Sequence, residues 1–490
     1  MLGARWRPGT AGVLLVLAAT VSVALLLGGE GAKKLSTTPI EPAAHYNAKA
    51  PNVVVVMTDD QAVDTMRAMP RTRHLVGAKG VRFSNSVVSF PLCCPSRATF
   101  LTGQYAHNHG VIDNHPPRGG YPALDVRSTL PVWLSRAGYR TGFVGKFLNG
   151  YGQKGAAREV PPGWTDWYAL PTRAKQHPFN YKLNENGELV DYGDRNRDYK
   201  TQVLADKASG FVREHAGDDR PFFLWVATNA PHLDGSLPKG SDRDPEPDPR
   251  DRGRFEGEKP PRKRSVDEKD VSDKPGPVRS QSRLNRDQRR KIEKVYVSQL
   301  ESIVAVDRLV KQVIKELRRR GEFEHTVVMF TSDNGFLRGE HRFDSGKSKL
   351  YEESIRVPLL IRGPGFPEGV RDEGVVGNVD LAPTILDLAG VRADHDVDGR
   401  SLAPFESRSD DSDRAVLLES YDRKQGRAVG VRTRHYVYAR QQTGEIEMYD
   451  LKHDPEQLES VHDDPRYAEV RAGLAAELAR LKDCAGSGCR

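Results

Sequence analysis

The chain has 490 residues, of which 37% are hydrophobic and 29% charged, and 74 Lys and Arg against 67 Asp and Glu give a net charge of +7. This length allows two to four domains, or one large domain with an appendage. The composition excludes a polytopic membrane protein and a wholly disordered chain, and a mild charge without a recognition motif argues against nucleic-acid binding.

The N-terminal segment has the pattern of an export signal. Arg5 and Arg7 precede an uncharged stretch whose apolar part covers 13–27. A basic start followed by an apolar run is typical of secretory signals, and its length is also close to that of a membrane anchor. We therefore expect a secreted or extracytoplasmic protein in which residues 1–30 are a signal peptide or N-terminal anchor and residues 31–50 are a tether.

Three hydrophobic runs, each followed by polar residues, predict the central strands of a sheet. They cover residues 53–57, 222–226 and 327–330. Runs rich in β-branched and aromatic residues are typical of strands buried on both faces. Apolar residues recur at helical spacing over 292–317, so strands and helices alternate and an α/β sheet is expected. Ligands of such sheets bind beyond the carboxyl ends of the strands, where all three polar clusters fall.

Residues 236–291 differ from the rest of the chain because few of their side chains are apolar. Such a segment buries too little surface to offset its ordering entropy. We expect a charged, mobile insertion within a catalytic domain that covers 51–408. A loop that gates the substrate stays open as an alternative, because the segment closely follows His232.

The chain after residue 408 predicts a smaller α+β C-terminal subdomain, residues 409–490. A helix is expected over 467–481. Four short runs have the pattern of antiparallel strands: 414–420, 428–432, 435–440 and 446–451. The four cysteines are too few for a disulfide scaffold, but Cys484 and Cys489 are spaced to close a small loop in an oxidising compartment.

Two oxygen-rich pairs that follow predicted strands are candidate metal ligands. Asp59 and Asp60 follow the first strand, and Asp333 and Asn334 follow the third. Four hard oxygen donors that meet at one site suit Ca²⁺ or Mg²⁺. Taken alone, either pair also fits an ordinary helix cap or turn.

The segment 91–103 carries the most specific motif of the chain. It reads P-L-C-C-P-S-R-A-T-F-L-T-G and contains C-x-P-S-R-x-x-x-L-T-G, with Cys93 in the first position. This is the signature of the type I sulfatases, and the chain resembles that family. The resemblance implies a doubly wound α/β sheet of the alkaline phosphatase superfamily with a smaller C-terminal subdomain.

Other residues expected of this family follow in order along the chain. Lys146 lies in a G-K pair, His232 in A-P-H, and Lys347 in G-K-S-K-L-Y-E. The catalytic residues that the resemblance implies are Cys93, Arg97, Lys146, His232 and Lys347. It also implies one divalent metal, Ca²⁺ in preference to Mg²⁺, with the ligands Asp59, Asp60, Cys93, Asp333 and Asn334.

The resemblance further implies an unusual nucleophile. In the family the first motif cysteine, here Cys93, is oxidised to Cα-formylglycine (3-oxoalanine), so a formylglycine-generating enzyme is an expected partner. One hydroxyl of the hydrated aldehyde attacks sulfur, and the second, once deprotonated, expels sulfate. Arg97 stabilises the ionised hydroxyl, while Lys146, Lys347 and His232 bind sulfate oxygens. Whether Lys347 or His232 protonates the leaving alkoxide stays open.

The run that contains Lys146 differs from that of many arylsulfatases, and the difference indicates which branch of the family the chain resembles. Those enzymes carry G-K-W-H, whereas this run is G-K-F-L-N and ends at Asn149. With C-C-P-S-R, it resembles the branch of N-acetylglucosamine-6-sulfatases and extracellular heparan endosulfatases. The resemblance implies a sulfated carbohydrate substrate, such as N-acetylglucosamine 6-sulfate. The candidate substrate-binding residues, for which a structural role is equally open, are His109, Asn114, Asn149 and His341.

Two other functions stay open. A phosphonate or phosphate monoester hydrolase of the same superfamily would use the same nucleophile and metal. A non-catalytic sulfoglycan-binding protein with an unmodified Cys93 would belong to a different class. Binding alone does not require both lysines, His232 and a complete maturation motif, so the hydrolase is favoured.

Overall fold

The computed structural model describes residues 50–172, 177–234, 243–407, 414–423 and 425–490. The expected signal or anchor and all but the last residue of the expected tether lie outside these ranges. Within them, no helix combines the length and the apolar character needed to cross a membrane.

Ten strands form one mixed sheet. Their bounds are β1 Asn52–Thr58, β2 Val81–Val87, β3 Arg140–Gly145, β4 Asp166–Ala169, β5 Tyr181–Glu185, β6 Glu188–Tyr192, β7 Phe222–Ala227, β8 Thr326–Ser332, β9 Leu359–Arg362 and β10 Val370–Gly377. They lie side by side in the order β10-β2-β9-β8-β1-β7-β3-β4-β5-β6. The central β1 runs parallel to its neighbours β7 and β8, and β3 continues in parallel beyond β7. The three predicted strands therefore lie together at the centre.

Alternate side chains of β1 pack into two hydrophobic cores, one on each face of the sheet. Val53, Val55 and Met57 belong to one core, and Val54 and Val56 belong to the other. Each of these side chains is at most 1% exposed. A continuous hydrophobic run is favourable in this strand because both faces are covered. The prediction of strands buried on both faces is confirmed.

Helices lie between the strands and supply both covering layers. Their bounds are α1 Pro70–Thr72, α2 Cys93–Thr102, α3 Ala106–His109, α4 Leu130–Arg136, α5 Lys200–His215, α6 Gly276–Arg279, α7 Arg286–Arg319, α8 Glu352–Ile355, α9 Leu381–Ala389 and α10 Ala468–Leu481. The helix expected over 292–317 is the inner part of α7. It begins after Asn285, whose side chain accepts a hydrogen bond from the backbone N of Gln288 and so satisfies an otherwise unpaired donor. The α/β class is confirmed.

A second sheet near the C-terminus has four antiparallel strands. They are β11 Val416–Asp422, β12 Gly426–Arg432, β13 Tyr436–Gln441 and β14 Ile446–Asp450. The strands pair in chain order, and α10 shares their hydrophobic core. The four predicted strands and the closing helix are present. Cys484 and Cys489 form a disulfide. The boundary expected at residue 408 falls within 408–413, outside the described residues.

The described part of the charged insertion, residues 243–291, packs against the rest of the fold. Asp267 is 3% exposed, and its backbone N donates to the carbonyl of Gly339, outside the segment, at 2.8 Å. The Lys274 side chain is fully buried, 3.3 Å from the Glu268 carboxylate. The expectation of a loosely attached segment was wrong here, because buried charges that find partners replace the missing apolar contacts.

We expect Lys274→Ala to lower the free energy of unfolding by about 3–5 kcal/mol. The substitution removes the ammonium group that lies beside the buried carboxylate of Glu268. Denaturant unfolding measures this difference. Lys269→Ala, at an exposed position of the same segment, should change stability by less than about 0.5 kcal/mol. Equal stabilities for the two variants would show that the segment contributes no buried ion pair.

Candidate active site

Polar residues at the ends of three neighbouring strands converge at one edge of the sheet. Asp59, His232 and Asp333 follow β1, β7 and β8, respectively. Because these three strands are parallel, their carboxyl ends open at the same edge. Helix α2 begins at Cys93 and brings the motif cysteine to the same place.

Cys93 is surrounded by charged atoms although it is only 1% exposed. Its Sγ lies 3.5 Å from Asp59 Oδ1. The Nζ atoms of Lys146 and Lys347 lie 3.5 Å and 2.9 Å from the same Sγ. Burial raises the pKa of the Cys93 thiol to about 12, against the opposing effect of the two lysines. A thiol that keeps its proton at neutral pH is a weak nucleophile.

Carboxylates, a thiol and an imidazole form a candidate metal centre, beside which the Asn334 amide lies. Ligand atoms that all lie within 4.8 Å of one another come from Asp59, Asp60, Cys93 and His232. The backbone N of Asp60 donates to Asp333 Oδ1 at 3.1 Å, and Asn334 Nδ2 donates to Asp60 Oδ1 at 2.7 Å. The Asn334 Oδ1 is buried and has no hydrogen-bond partner among the described residues. An orphaned oxygen beside three buried carboxylates fits a hard divalent cation.

Two lysines face the first pair of carboxylates. Lys146 contacts Asp59, and Lys347 contacts Asp60. Burial opposes the charge on Lys347, but Asp60 raises its pKa well above the usual value. In the same way, burial would raise the pKa of Asp59, but the charge of Lys146 and the other cations lower it well below its usual range. Both lysines are therefore cations at neutral pH and suited to bind an anionic group.

Arg97 ties the second metal-ligand pair to β3. It is fully buried, and its Nε donates to Asp333 Oδ2 at 2.8 Å, while Nη1 donates to the carbonyl of Lys146. Burial and the charge of Asp59 raise the pKa of Asp333 to about 6, against the effect of Arg97. Arg97 thus positions a metal-ligand candidate and a lysine at once.

His232 and Lys347 lie at the more open side of the cluster. Their side chains are 20% and 14% exposed, against 3% for Lys146. His232 Nε2 lies 3.5 Å from Asp60 Oδ2. Burial lowers the pKa of His232 in spite of the nearby carboxylates. A ligand that reaches Cys93 from solvent would meet these two side chains first.

Backbone geometry lets the strand ends approach this closely. Gly145 has a φ of 122°, and a Cβ at this position would lie 2.0 Å from the carbonyl oxygen of Ala227. Only glycine therefore allows β3 to end against β7, where the next residue, Lys146, reaches Asp59. Asp60 has a φ of 63°, in the left-handed region, as strained residues at functional sites often do.

Asn114 and Asn149 flank the start of α2. Asn114 Oδ1 accepts a hydrogen bond from the backbone N of Cys94 at 2.9 Å, and the backbone N of Asn149 donates to Cys94 Sγ at 3.1 Å. Both are half-buried. Their contacts fix the residue next to Cys93, and a role in substrate binding stays a prediction.

The two candidate histidines of the sugar pocket have other contacts. His341 is fully buried and its Nδ1 lies 2.7 Å from Glu268 Oε2, which supports the structural role that the sequence left open for it. His109 Nε2 lies 3.1 Å from Thr99 Oγ1, and its Nδ1 accepts a hydrogen bond from the backbone N of Val111 at 3.1 Å. Burial lowers the pKa of His109 to about 3. The structural role is the one that these contacts support.

Sequence reasoning assigned no role to Ser332. Its Oγ accepts from the backbone N of Gln61 at 3.0 Å and donates to the carbonyl of Asn334 at 2.9 Å. Ser332 thereby joins the two oxygen-rich strand ends. Its position as the last residue of a buried strand, immediately before Asp333, was the available signal.

Two family models match the region that contains these residues. The model described as Sulfatase matches residues 51–391. The model described as N-sulphoglucosamine sulphohydrolase, C-terminal, matches residues 339–484. Together they include the main sheet, the site and the second sheet.

Curated relatives are identical to the chain at about a third of the aligned positions. It is 34% identical over 368 residues to the N-acetylglucosamine-6-sulfatase of Homo sapiens, a match that covers 73% of the chain and 64% of the relative. It is 34% identical over 509 residues to the arylsulfatase of Volvox carteri, a match that covers 91% of the chain and 76% of the relative. The chain therefore spans less than two thirds of the length of the human relative.

Solved structures share the fold. BT4656 in complex with its substrate D-glucosamine-2-N,6-O-disulfate superposes with a TM-score of 0.75 at 25% identity, over 88% of this chain and 97% of that one. The phosphonate monoester hydrolase of Agrobacterium radiobacter superposes with a TM-score of 0.68 at 22% identity, over 88% and 95%. The fold expected of the alkaline phosphatase superfamily is thereby confirmed.

Proposed function

The chain belongs to the sulfatase family, and from this premise we propose that it hydrolyses the sulfate ester of a sulfated amino sugar, such as N-acetylglucosamine 6-sulfate. The observation that carries the proposal is the position of Cys93, at the start of a buried helix, among carboxylates and lysines. The substrate class is supported by the N-acetylglucosamine-6-sulfatase relative and by the disulfated glucosamine that is the substrate of BT4656.

We propose one divalent cation at this site, with Ca²⁺ preferred over Mg²⁺. The residues that would hold it are Asp59, Asp60, Asp333, Asn334 and the modified residue 93. When bound, such an ion polarises a sulfate oxygen and lowers the pKa of an attacking hydroxyl. The buried, unpartnered Asn334 Oδ1 supports this assignment.

We also propose that a formylglycine-generating enzyme converts Cys93 to formylglycine. The complete C-x-P-S-R motif supports this conversion. The Cys93 side chain is in contact with Asp59 and both lysines, so a hydroxyl at this position would lie among the proposed metal ligands.

The proposed roles of the two lysines and His232 follow from their positions in the site. Lys146, deepest in the cluster, is placed to hold a sulfate oxygen beside Cys93. Lys347 and His232, at the open side, lie where the bridging ester oxygen would face the leaving alcohol. One of these two groups would donate the proton to that alcohol.

The proposed activity is tested with protein made in its native host. The mass of the peptide that contains Cys93 should match the aldehyde or its hydrate, and the protein should release sulfate from N-acetylglucosamine 6-sulfate and from 4-nitrophenyl sulfate. An active protein with an intact thiol would refute the nucleophile. Protein with the aldehyde but without turnover of either ester would refute the sulfatase activity.

A phosphonate or phosphate monoester hydrolase is the second candidate, supported by the shared fold of the Agrobacterium enzyme. Sulfate and phosphate monoesters share a tetrahedral shape but differ in charge. The ratio of kcat/KM for aryl sulfate to that for aryl phosphate and aryl phosphonate decides between them.

We further propose that the chain is exported, since its N-terminal pattern and the Cys484–Cys489 disulfide both suit an oxidising compartment.

A further inference from the structure

A cavity of about 660 Å³ opens beside the main sheet, apart from the cluster around Cys93. Its walls come from β2, β9 and β10 and from the segment that follows β1. None of the proposed catalytic residues or metal ligands lines it. Its volume lies within the range of sites that bind small molecules or single segments of a larger ligand.

This cavity, which we call the arginine cleft, has an excess of positive charge, although Arg67 pairs with Glu258 at 2.8 Å and Arg371 lies 3.7 Å from Glu373. The arginines that line it are Arg67, Arg73, Arg82, Arg356 and Arg371. Asp64 is the one acidic residue among its lining residues, and both of its carboxylate oxygens accept hydrogen bonds from Arg338 at 2.6 Å. Its charge is therefore already compensated from outside the cleft.

The side chains of two of these arginines, Arg73 and Arg82, are exposed and make no hydrogen bond or ion pair with any residue in the described ranges, whereas their backbones are paired within the fold. Arg356 donates through Nε and Nη2 to the uncharged carbonyl of Ser84, at 3.0 Å and 2.8 Å, which fixes its guanidinium at the wall. A fixed guanidinium near two unpaired ones is an arrangement suited to an anion with several charges.

Apolar residues also line the cleft, among them Val63, Met66 and Leu360. An apolar wall with guanidinium groups around it matches a sugar ring that carries sulfate groups, since the ring has an apolar C–H face and a charged edge. A small inorganic anion would use only the charges and leave the apolar wall without a function.

We propose that the arginine cleft binds a sulfated stretch of an oligosaccharide chain, away from the sulfate ester that is hydrolysed. The inference rests on the proposed function for the chemical class of the ligand. Val63 and Asp64, which line the cleft, follow Asp60 of the site by three and four residues, so a short segment of chain joins the two places. The cleft would raise the affinity for chains without contributing to the chemical step.

The test compares two pairs of exposed arginines. R73Q/R82Q removes both unpaired charges from the cleft, and R195Q/R197Q removes the same charge beside β6, at the opposite end of the sheet. We expect R73Q/R82Q to raise the Kd for a heparin octasaccharide by about tenfold or more, as the loss of one or two charge-assisted hydrogen bonds implies. Turnover of 4-nitrophenyl sulfate should stay unchanged in both double variants.

Three results would overturn the proposal. The Kd for the octasaccharide stays unchanged in R73Q/R82Q, or it rises equally in R195Q/R197Q, which would indicate general charge attraction. Alternatively, laurate binds in preference to the octasaccharide and loses its binding in R73Q/R82Q, which would make the occupant an anionic amphiphile. The binding measurement needs no turnover, so aldehyde-bearing protein that hydrolyses neither N-acetylglucosamine 6-sulfate nor 4-nitrophenyl sulfate refutes the proposed function without deciding the cleft.

Discussion

Cys93→Ala should lower kcat/KM for a sulfate ester by about 10⁴-fold or more, since loss of a nucleophile removes the covalent route altogether. The fold should survive, because the side chain is small and its loss leaves the neighbouring ion pairs of both lysines in place. Initial-rate kinetics with 4-nitrophenyl sulfate measure the first effect, and thermal unfolding measures the second.

Cys94→Ala is the matched control for this variant. Cys94 is equally buried, and its Sγ accepts a hydrogen bond from the backbone N of Asn149 at 3.1 Å. We expect activity within about tenfold of the wild type and a loss of stability on the order of 1 kcal/mol. Full activity in Cys93→Ala, or complete loss in Cys94→Ala, would mean that the nucleophile is assigned to the wrong cysteine.

Asp60→Asn should abolish binding of the divalent cation and lower turnover on the order of 10³-fold, because the metal contributes several kcal/mol of charge stabilisation in the transition state. Asp60 accepts from Asn334 and faces Lys347 and His232, so the substitution also leaves a cation without its partner. Metal content after dialysis, measured by mass spectrometry, and initial rates with added Ca²⁺ give the two readouts.

Asp307→Asn separates this effect from a general loss of stability. Asp307 is fully buried, and its carboxylate accepts hydrogen bonds from Thr72 and Arg71 in the helical layer. This variant should unfold more easily but bind the metal with unchanged stoichiometry. If Asp60→Asn retained the metal, Asp60 would not be a ligand.

The central strands, and the meeting of polar residues at their carboxyl ends, could be predicted because their signals are local. The run from Val53 to Met57 is hydrophobic without interruption, and that pattern already indicates a strand covered on both faces. Since parallel strands end at one edge, the residues after each run had to be neighbours. The strands of the second sheet were recognisable for a similar reason, since short alternating runs are separated by turn residues.

Contacts between distant parts of the chain could not be predicted in this way. Glu268 pairs with His341, and Lys274 donates to the carbonyl of Leu458, each across a long sequence separation. The composition of residues 236–291 shows that this segment can make few apolar contacts. It does not show which polar groups of the rest of the chain pair with the charged side chains of the segment. The burial of His341 could not be predicted for the same reason. Its partner, Glu268, lies far away in the sequence, and the residues around His341 do not indicate it.

The burial of Cys93 sets an order of events during biosynthesis. The side chain is 1% exposed and lies beneath Lys347 and His232, in a close-packed interior that another protein's active site cannot enter. If Cys93 is oxidised by a second enzyme, the chain must meet that enzyme while residues 91–103 are still unfolded. Under that proposal, a molecule that folds before it is oxidised would stay inactive, so the specific activity of a preparation would record a kinetic competition between folding and oxidation.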